Sequence, residues 1–179
     1  MEIRELQEIL EAIIYVAEDP VRPEQFREIF PDESLDKLDT ALKSLVAEFN
    51  SRPGGMLIRE VAGGYRMTTR PEHHEYIRSY LKSRPGAKLS MAALETLAVI
   101  AYKQPVTLAE VLAIRGKKSS TALQTLLEKR LISILGRKAV VGRPIIYGTS
   151  REFLIHFGLK DLSELPTLEE FAQMAGDQL

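Results

Sequence analysis

The stretch SMAALETLAVIAYKQPVTLAEVLAIRG, residues 90–116, decides how the chain is read. Ser90 can cap a helix that runs through Lys103, and Pro105 follows it. Thr107-Leu108-Ala109-Glu110 is a capping box that opens a second helix to Ile114, and Gly116 stops it. Downstream, the spacing predicts a third helix over 119–130 with Leu123, Leu126 and Leu127 inward. Residues 131–135 and 144–147 then read as strands around a loop at 136–142. Ser150 can cap a last short helix that holds Phe153, Leu154 and Phe157. The order is helix, helix, helix, hairpin, helix.

Upstream the same order appears once already. Ile3, Leu6, Leu10, Ile13, Ile14 and Ala17 mark one apolar helical face, which Pro20 ends. Pro23 is placed to start a short helix with Phe26 and Ile29. Leu35, Leu38, Leu42, Leu45, Val46 and Phe49 make a third helix, broken by Arg52-Pro53-Gly54-Gly55. Segments 56–61 and 65–69 flank Gly63-Gly64, a pair suited to a tight hairpin turn. Pro71 then opens a helix through Tyr76, Ile77 and Tyr80. Leu10-Glu11 matches Leu94-Glu95 at a shift of 84, and Pro20-Val21 and Ile29 match Pro105-Val106 and Ile114 at 85. With the repeated order, these matches indicate a duplicated domain. Three helices followed by a two-stranded wing is the winged variant of the helix-turn-helix. The expectation is an α+β, mostly helical chain of two tandem winged-helix domains. They are placed at 1–81 and 89–158, with a linker KSRPGAK at 82–88 and an acidic, partly flexible tail at 159–179.

Composition agrees with a globular protein. Of 179 residues, 24 are Lys or Arg and 25 Asp or Glu; 45% are hydrophobic and 27% charged. These values exclude a disordered, collagen-like or membrane protein. Zero cysteines remove disulfides, thiolate metal sites and cysteine nucleophiles together, and allow a reducing compartment. The start, with Glu2, Glu5, Glu8 and Glu11, has no signal or transit character. The longest apolar runs, 12–17 and 97–102, fall far short of the roughly 20 residues that span a bilayer. A cytoplasmic location is expected, with no membrane partner.

A search for catalytic chemistry is nearly empty. His73, His74 and His156 have no metal-ligand spacing. Gly116-Lys117-Lys118-Ser119 faintly suggests a phosphate loop, but Val111 stands where a Walker motif needs Gly. Glu169-Glu170 lies in a polar tail, with no apolar pocket to raise a pKa. No cofactor and no metal is expected.

Two other signals remain. Between Arg115 and Arg143 the chain has eight cations (Arg115, Lys117, Lys118, Lys129, Arg130, Arg137, Lys138, Arg143) and one acid, Glu128. They map to the ends of the third helix and to the wing, where a DNA-reading winged helix carries cations. Ser119, Ser120, Thr121, Gln124 and Thr125 are the candidate readers, so a DNA-binding transcriptional regulator is the alternative reading. A solvated face and a turn explain the same residues. The second signal is apolar surplus. Ile9, Ala12 and Val16 form a second stripe on the first helix, and 92–102 is apolar almost all round. A helix apolar on every side must be covered on every side. A central core helix covers one stripe; the surplus favours a second chain, most simply as a two-fold dimer.

Residues 93–104, ALETLAVIAYKQ, and 136–149, GRKAVVGRPIIYGT, resemble the segregation and condensation protein B family, ScpB. Pro105-Val106-Thr107, Ile114-Arg115-Gly116, Leu126-Leu127-Glu128 and Leu131-Ile132 fit as well. So do Phe153-Leu154, Phe157-Gly158-Leu159 and Leu165-Pro166. The resemblance covers about residues 10–166, specific in the second half and loose in the first. It departs at Lys117-Lys118-Ser119-Ser120, where extra cations leave open a stronger DNA affinity than the family would suggest; a weak, non-specific DNA contact is the expectation.

The resemblance implies a non-enzymatic subunit of the bacterial chromosome-condensing complex, associated with the nucleoid. Such proteins are tandem winged-helix homodimers joined through the amino-terminal domain. They bind the kleisin ScpA, and through it SMC, to which the ATP chemistry belongs. On the matched motifs, Tyr102, Lys103, Gln104 and Pro105 form an exposed helix end for kleisin contact. Arg115, Arg137 and Arg143 add planar donors for carboxylates, and Tyr147 an amphipathic contact. Ile9, Ala12, Tyr15 and Val16 are expected at the dimer interface, from the apolar surplus. By segment, residues 1–88 carry 13 cations and 16 anions (−3), 89–158 carry 10 and 4 (+6), and 159–179 carry 1 and 5 (−4). The near-neutral total hides a basic second domain.

Overall fold

The computed structural model describes residues 1–82, 89–116, 119–167 and 170. The linker at 83–88 and the cations Lys117 and Lys118 lie outside the described residues. The chain divides into two units, Met1–Lys82 with Gly158–Leu179, and Ser83–Phe157. The segment after 158, expected as a separate tail, therefore groups with the first unit. The Ala62 N–H donates to the Leu159 carbonyl at 2.8 Å, and Lys160 pairs with Glu60 at 3.0 Å.

In the first unit, α1 (Ile3–Val16), α2 (Pro23–Ile29) and α3 (Leu35–Ser51) precede a hairpin of β1 (Met56–Val61) and β2 (Gly64–Thr69). A 3-10 turn at Pro71–His73 leads into α4 (His74–Lys82). Leu6, Leu10 and Ile14 repeat every fourth residue and are fully buried against Phe26, Leu38, Leu42, Leu45 and Ile58. Each such side chain contributes about 1.5–3 kcal/mol on leaving water. The Asn50 amide imitates a strand: its Oδ1 accepts from Ile58 N–H at 2.8 Å and its Nδ2 donates to Ile58 O at 2.9 Å. That pair ties the last turn of α3 to β1.

The hairpin turn differs by one residue from the sequence reading. It is Ala62-Gly63, both with positive φ (51° and 70°), and Gly64 already pairs with Val61. Gly64 is required for a different reason than turning. A Cβ there would lie 2.9 Å from backbone atoms of Pro20 and Val21. The close approach lets Val21 bridge to Tyr65, adding a strand-like third segment to the hairpin.

The second unit contains α5 (Met91–Lys103), β3 (Val106–Thr107), α6 (Leu108–Arg115), α7 (Ser119–Glu128), β4 (Ile132–Arg137), β5 (Ile145–Thr149) and α8 (Arg151–Phe157). Its antiparallel sheet has the order β3-β5-β4. Ser90 caps α5 through the Ala93 N–H, and Ser150 accepts from Phe153 N–H. The Thr107/Glu110 capping box is formed in full. Strand β4 runs on to Arg137 instead of stopping before Gly136. A register shift between Ile134 and Gly136, with Gly136 at φ +148°, allows the continuation. The hairpin loop therefore lies at 138–144, two residues later than expected. Val106 pairs with Tyr147 as Val21 does with Tyr65, so the duplication seen at Pro20-Val21 and Pro105-Val106 includes this contact.

Replacing Gly64 by Ala is expected to cost about 1–3 kcal/mol, because backbone cannot yield as a side-chain tip can. Gly54→Ala, with open space around it, serves as the control in the same urea titration. Equal midpoints for the two variants would refute the close-approach account.

Candidate interaction surfaces

Burial of one face of α1 leaves the other in water. Ile9 is 36%, Tyr15 72% and Val16 73% exposed, and Ala12 is exposed with them. All four residues expected at a dimer interface therefore lie outside the core of their own unit. Ala12 and Tyr15 also line a groove of about 470 Å³ with Phe49, Met56 and Met67, and Glu8 and Glu11 stand on its rim. On α5 the surplus is smaller. Ala93, Thr96, Leu97 and Ile100 are buried, whereas Met91, Leu94 and Ala98 face outward.

The kleisin-contact residues divide into two groups. Lys103 and Pro105 are exposed, as are Arg137 and Arg143, and Tyr102 is half-buried. Gln104, also half-buried, accepts at Oε1 from the Thr149 N–H (2.8 Å) and donates at Nε2 to Ala101 O (3.1 Å). Its amide thus joins the end of α5 to β5. Arg115 and Tyr147 do not fit the surface role. The Arg115 guanidinium donates to Ala92 O at 2.7 Å, to Thr96 Oγ1 and to Glu95, with its side chain 12% exposed. It donates to the fully buried Thr96, whose own hydroxyl donates to Ala92 O at 2.7 Å, and so fastens α6 to α5. Tyr147 is 7% exposed in the middle of the sheet and is a core residue. Spacing cannot separate a cation that points outward from one that folds back onto the preceding helix.

The wing is braced from α6. Glu110 Oε2 accepts from Thr107 N–H at 2.7 Å and from Thr107 Oγ1 at 2.8 Å, and its Oε1 accepts from Lys138 Nζ at 2.6 Å. These donors, Lys138 foremost, hold the Glu110 carboxyl well below its usual range, at about 2. Arg137 donates to Arg143 O at 3.0 Å across the loop. Beyond this brace the tip presents Val140 and Val141, 50% and 102% exposed, which the sequence reading did not single out.

Several cations of the basic stretch are thus engaged inside the unit: Arg115 with Glu95, Lys138 with Glu110, Arg137 with a carbonyl. The expected reading helix, α7, carries no cation of its own. Its exposed Gln124 donates to Glu128 and its Thr125 hydroxyl to Thr121 O. Among the described residues, no group of three or more His, Asp or Glu side chains could hold a metal, and no helix is long and apolar enough to cross a membrane.

The family model for the segregation and condensation complex subunit ScpB matches residues 8–168. Segregation and condensation protein B of Syntrophotalea carbinolica is 47% identical over 174 residues, 97% of this chain and 87% of that one. The chain belongs to the ScpB family. Among solved structures, ScpB from Mycobacterium tuberculosis is 33% identical over 89% of this chain and 98% of its own, with a TM-score of 0.42. A dimer of a ScpB N-terminal domain complexed with a ScpA peptide covers 44% of this chain and 96% of its own, at 19% identity and a TM-score of 0.40.

The Glu110 brace has a testable pH signature in this ScpB chain. Its carboxyl is depressed in the folded state from an ordinary value of 4.5 to about 2. The stabilisation is therefore complete above pH 4.5 and disappears as the pH falls through 2. Wild type should be more stable than Glu110→Gln by a constant margin near neutrality, and the margin should shrink from about pH 4.5 downward. Thermal melts across pH 7 to 2 measure it; a margin independent of pH would exclude the brace.

Proposed function

We propose that this chain is a non-enzymatic subunit of the bacterial SMC–ScpA–ScpB complex. Acting as a homodimer, it binds the kleisin ScpA, and through it SMC, in chromosome condensation and segregation in the cytoplasm at the nucleoid. Each unit is read as a winged-helix domain: three helices, a hairpin wing, and a short strand-like segment between the first two helices. The first unit dimerises through Ile9, Ala12, Tyr15 and Val16. The second meets the kleisin through the exposed end of α5, at Tyr102, Lys103 and Pro105, and through Arg137 and Arg143 on the wing. Gln104, Arg115 and Tyr147 support that surface from beneath.

The observation that carries this reading is where the exposed surface is apolar and where the cations are engaged. A nucleic-acid reader keeps its cations turned to phosphate and needs little exposed aliphatic surface. Here Arg115 and Lys138 brace the domain, while Tyr15, Val16, Val140 and Val141 face water. That pattern suits protein partners.

In isothermal titration with the cognate ScpA, Arg137→Ala and Arg143→Ala should each weaken binding about tenfold, corresponding to 1.4 kcal/mol. A wild-type protein that fails to bind would sink the adaptor reading. Tight DNA binding that falls steeply with salt would favour the regulator instead. In light scattering Val16→Glu should be monomeric; a variant that stays dimeric would remove the α1 interface.

A further inference from the structure

We infer that the hairpin of the first unit holds nucleic-acid backbone phosphates at Arg59 and Arg66, a contact blind to base sequence. The contact is independent of the adaptor reading. Strands β1 and β2 pair Arg59 directly with Arg66, so the two side chains share one face of the hairpin. Ile58 and Met67, the adjacent pair, turn the opposite face to the core. Arg59 is exposed and Arg66 half-buried, and neither guanidinium has a hydrogen-bond or ion-pair partner among the described residues. Lys37, Lys43 and Lys160 of the same unit each meet a carboxylate instead. Like charges directly opposite each other destabilise a sheet. Phosphates seated against the pair remove that repulsion, and each planar guanidinium can offer two donors to their oxygens.

The surroundings select phosphate over a protein carboxylate. A protein partner needs apolar surface to bury around its ion pairs. Of the large apolar side chains in this hairpin only Met56 is exposed, and it lines the α1 groove on the other face. A polyanion needs no such surface, since its affinity comes from neutralised phosphates and released counterions. Glu60, the one acid of the hairpin, alternates to the face away from Arg59 and is paired with Lys160 at 3.0 Å. The turn, Ala62-Gly63, is small and presents no bulky tip to a duplex. The hairpin of the second unit is built the other way. Val140 and Val141 stand at its tip, while Arg137 and Lys138 are engaged within the unit. The duplicated wing thus has two forms, one tipped with valine and one carrying two unpaired guanidinium groups.

Fluorescence anisotropy of a labelled mixed-sequence DNA duplex, titrated with the full chain at rising salt, reads the contact. Two phosphate contacts per chain contribute about −1.8 to the slope of log affinity against log salt, far less than the roughly six to ten contacts of a dedicated regulator. Arg59→Ala/Arg66→Ala should make the slope shallower by about 1.8 per bound chain, and the exposed Arg59→Ala alone by about 0.9. Arg4→Ala/Lys43→Ala removes equal charge from cations already paired with Glu8 and Asp39, and should bind the duplex as wild type does. No wild-type binding at low salt, or an unchanged slope in the Arg59 and Arg66 variants, would overturn the inference. So would a double variant that keeps its DNA affinity but loses ScpA in isothermal titration, because the pair would then serve a protein contact. The DNA slope reads the same whether or not the wild type binds ScpA, so failure here and failure of the adaptor reading are separate results.

Discussion

Leu6, Leu10 and Ile14 give the first unit its centre by turning one face of α1 toward α2, α3 and the hairpin. The three helices and the hairpin packed there are too few to cover more than that face. The remaining apolar residues of α1 stay in water, as do Tyr76 and Leu81 of α4. Burying a Tyr or Val side chain is favourable by about 1.5–3 kcal/mol, so surface of this kind is a standing drive for association. Within the first unit this limit leaves a compact core and an open groove beside α1.

The second unit solves a related problem with polar groups. Its α5 is apolar almost all round, yet Thr96 sits on the core side, where its hydroxyl donates to Ala92 O and is left with an acceptor site. Arg115 donates there and fastens α6 in the same stroke. Glu110 closes the cap of α6 and reaches the wing through Lys138. A carboxylate with three donors is strongly held, although its exposure keeps the energetic gain modest. What the brace supplies is position: the tip with Val140, Val141 and Arg143 stands on a hairpin anchored to a helix end.

Much of this architecture was legible from local chemistry. The caps at Ser90, Thr107 and Ser150, the stops at Pro20 and Gly116, and the fourfold spacing of Leu6, Leu10 and Ile14 act over three or four residues, and all are present in the structure. The repeat was legible for the same reason, since equal strings of local signals build equal elements. The hairpin turn was misplaced by one residue because Ala62 adopts positive φ, which composition does not announce. Strand β4 was cut short because Gly136 looks like a breaker when taken alone. Pairing with β5 through a register shift keeps it in the sheet. Arg115 and Tyr147 were assigned outward because side-chain direction at a helix end or strand depends on what lies across from it.

The sequence by itself therefore determined most of the elements, their repeated order and the apolar surplus of α1, because each follows from nearest-neighbour backbone preference and periodicity. Its motifs also carried the likeness to the ScpB family. Only the tertiary structure decided which cations are spent inside the second unit, that the acidic segment after Gly158 returns to the first hairpin, and that an open groove lies beside α1. Those outcomes depend on atoms brought close from distant parts of the chain. Spacing along a sequence holds no measure of that distance.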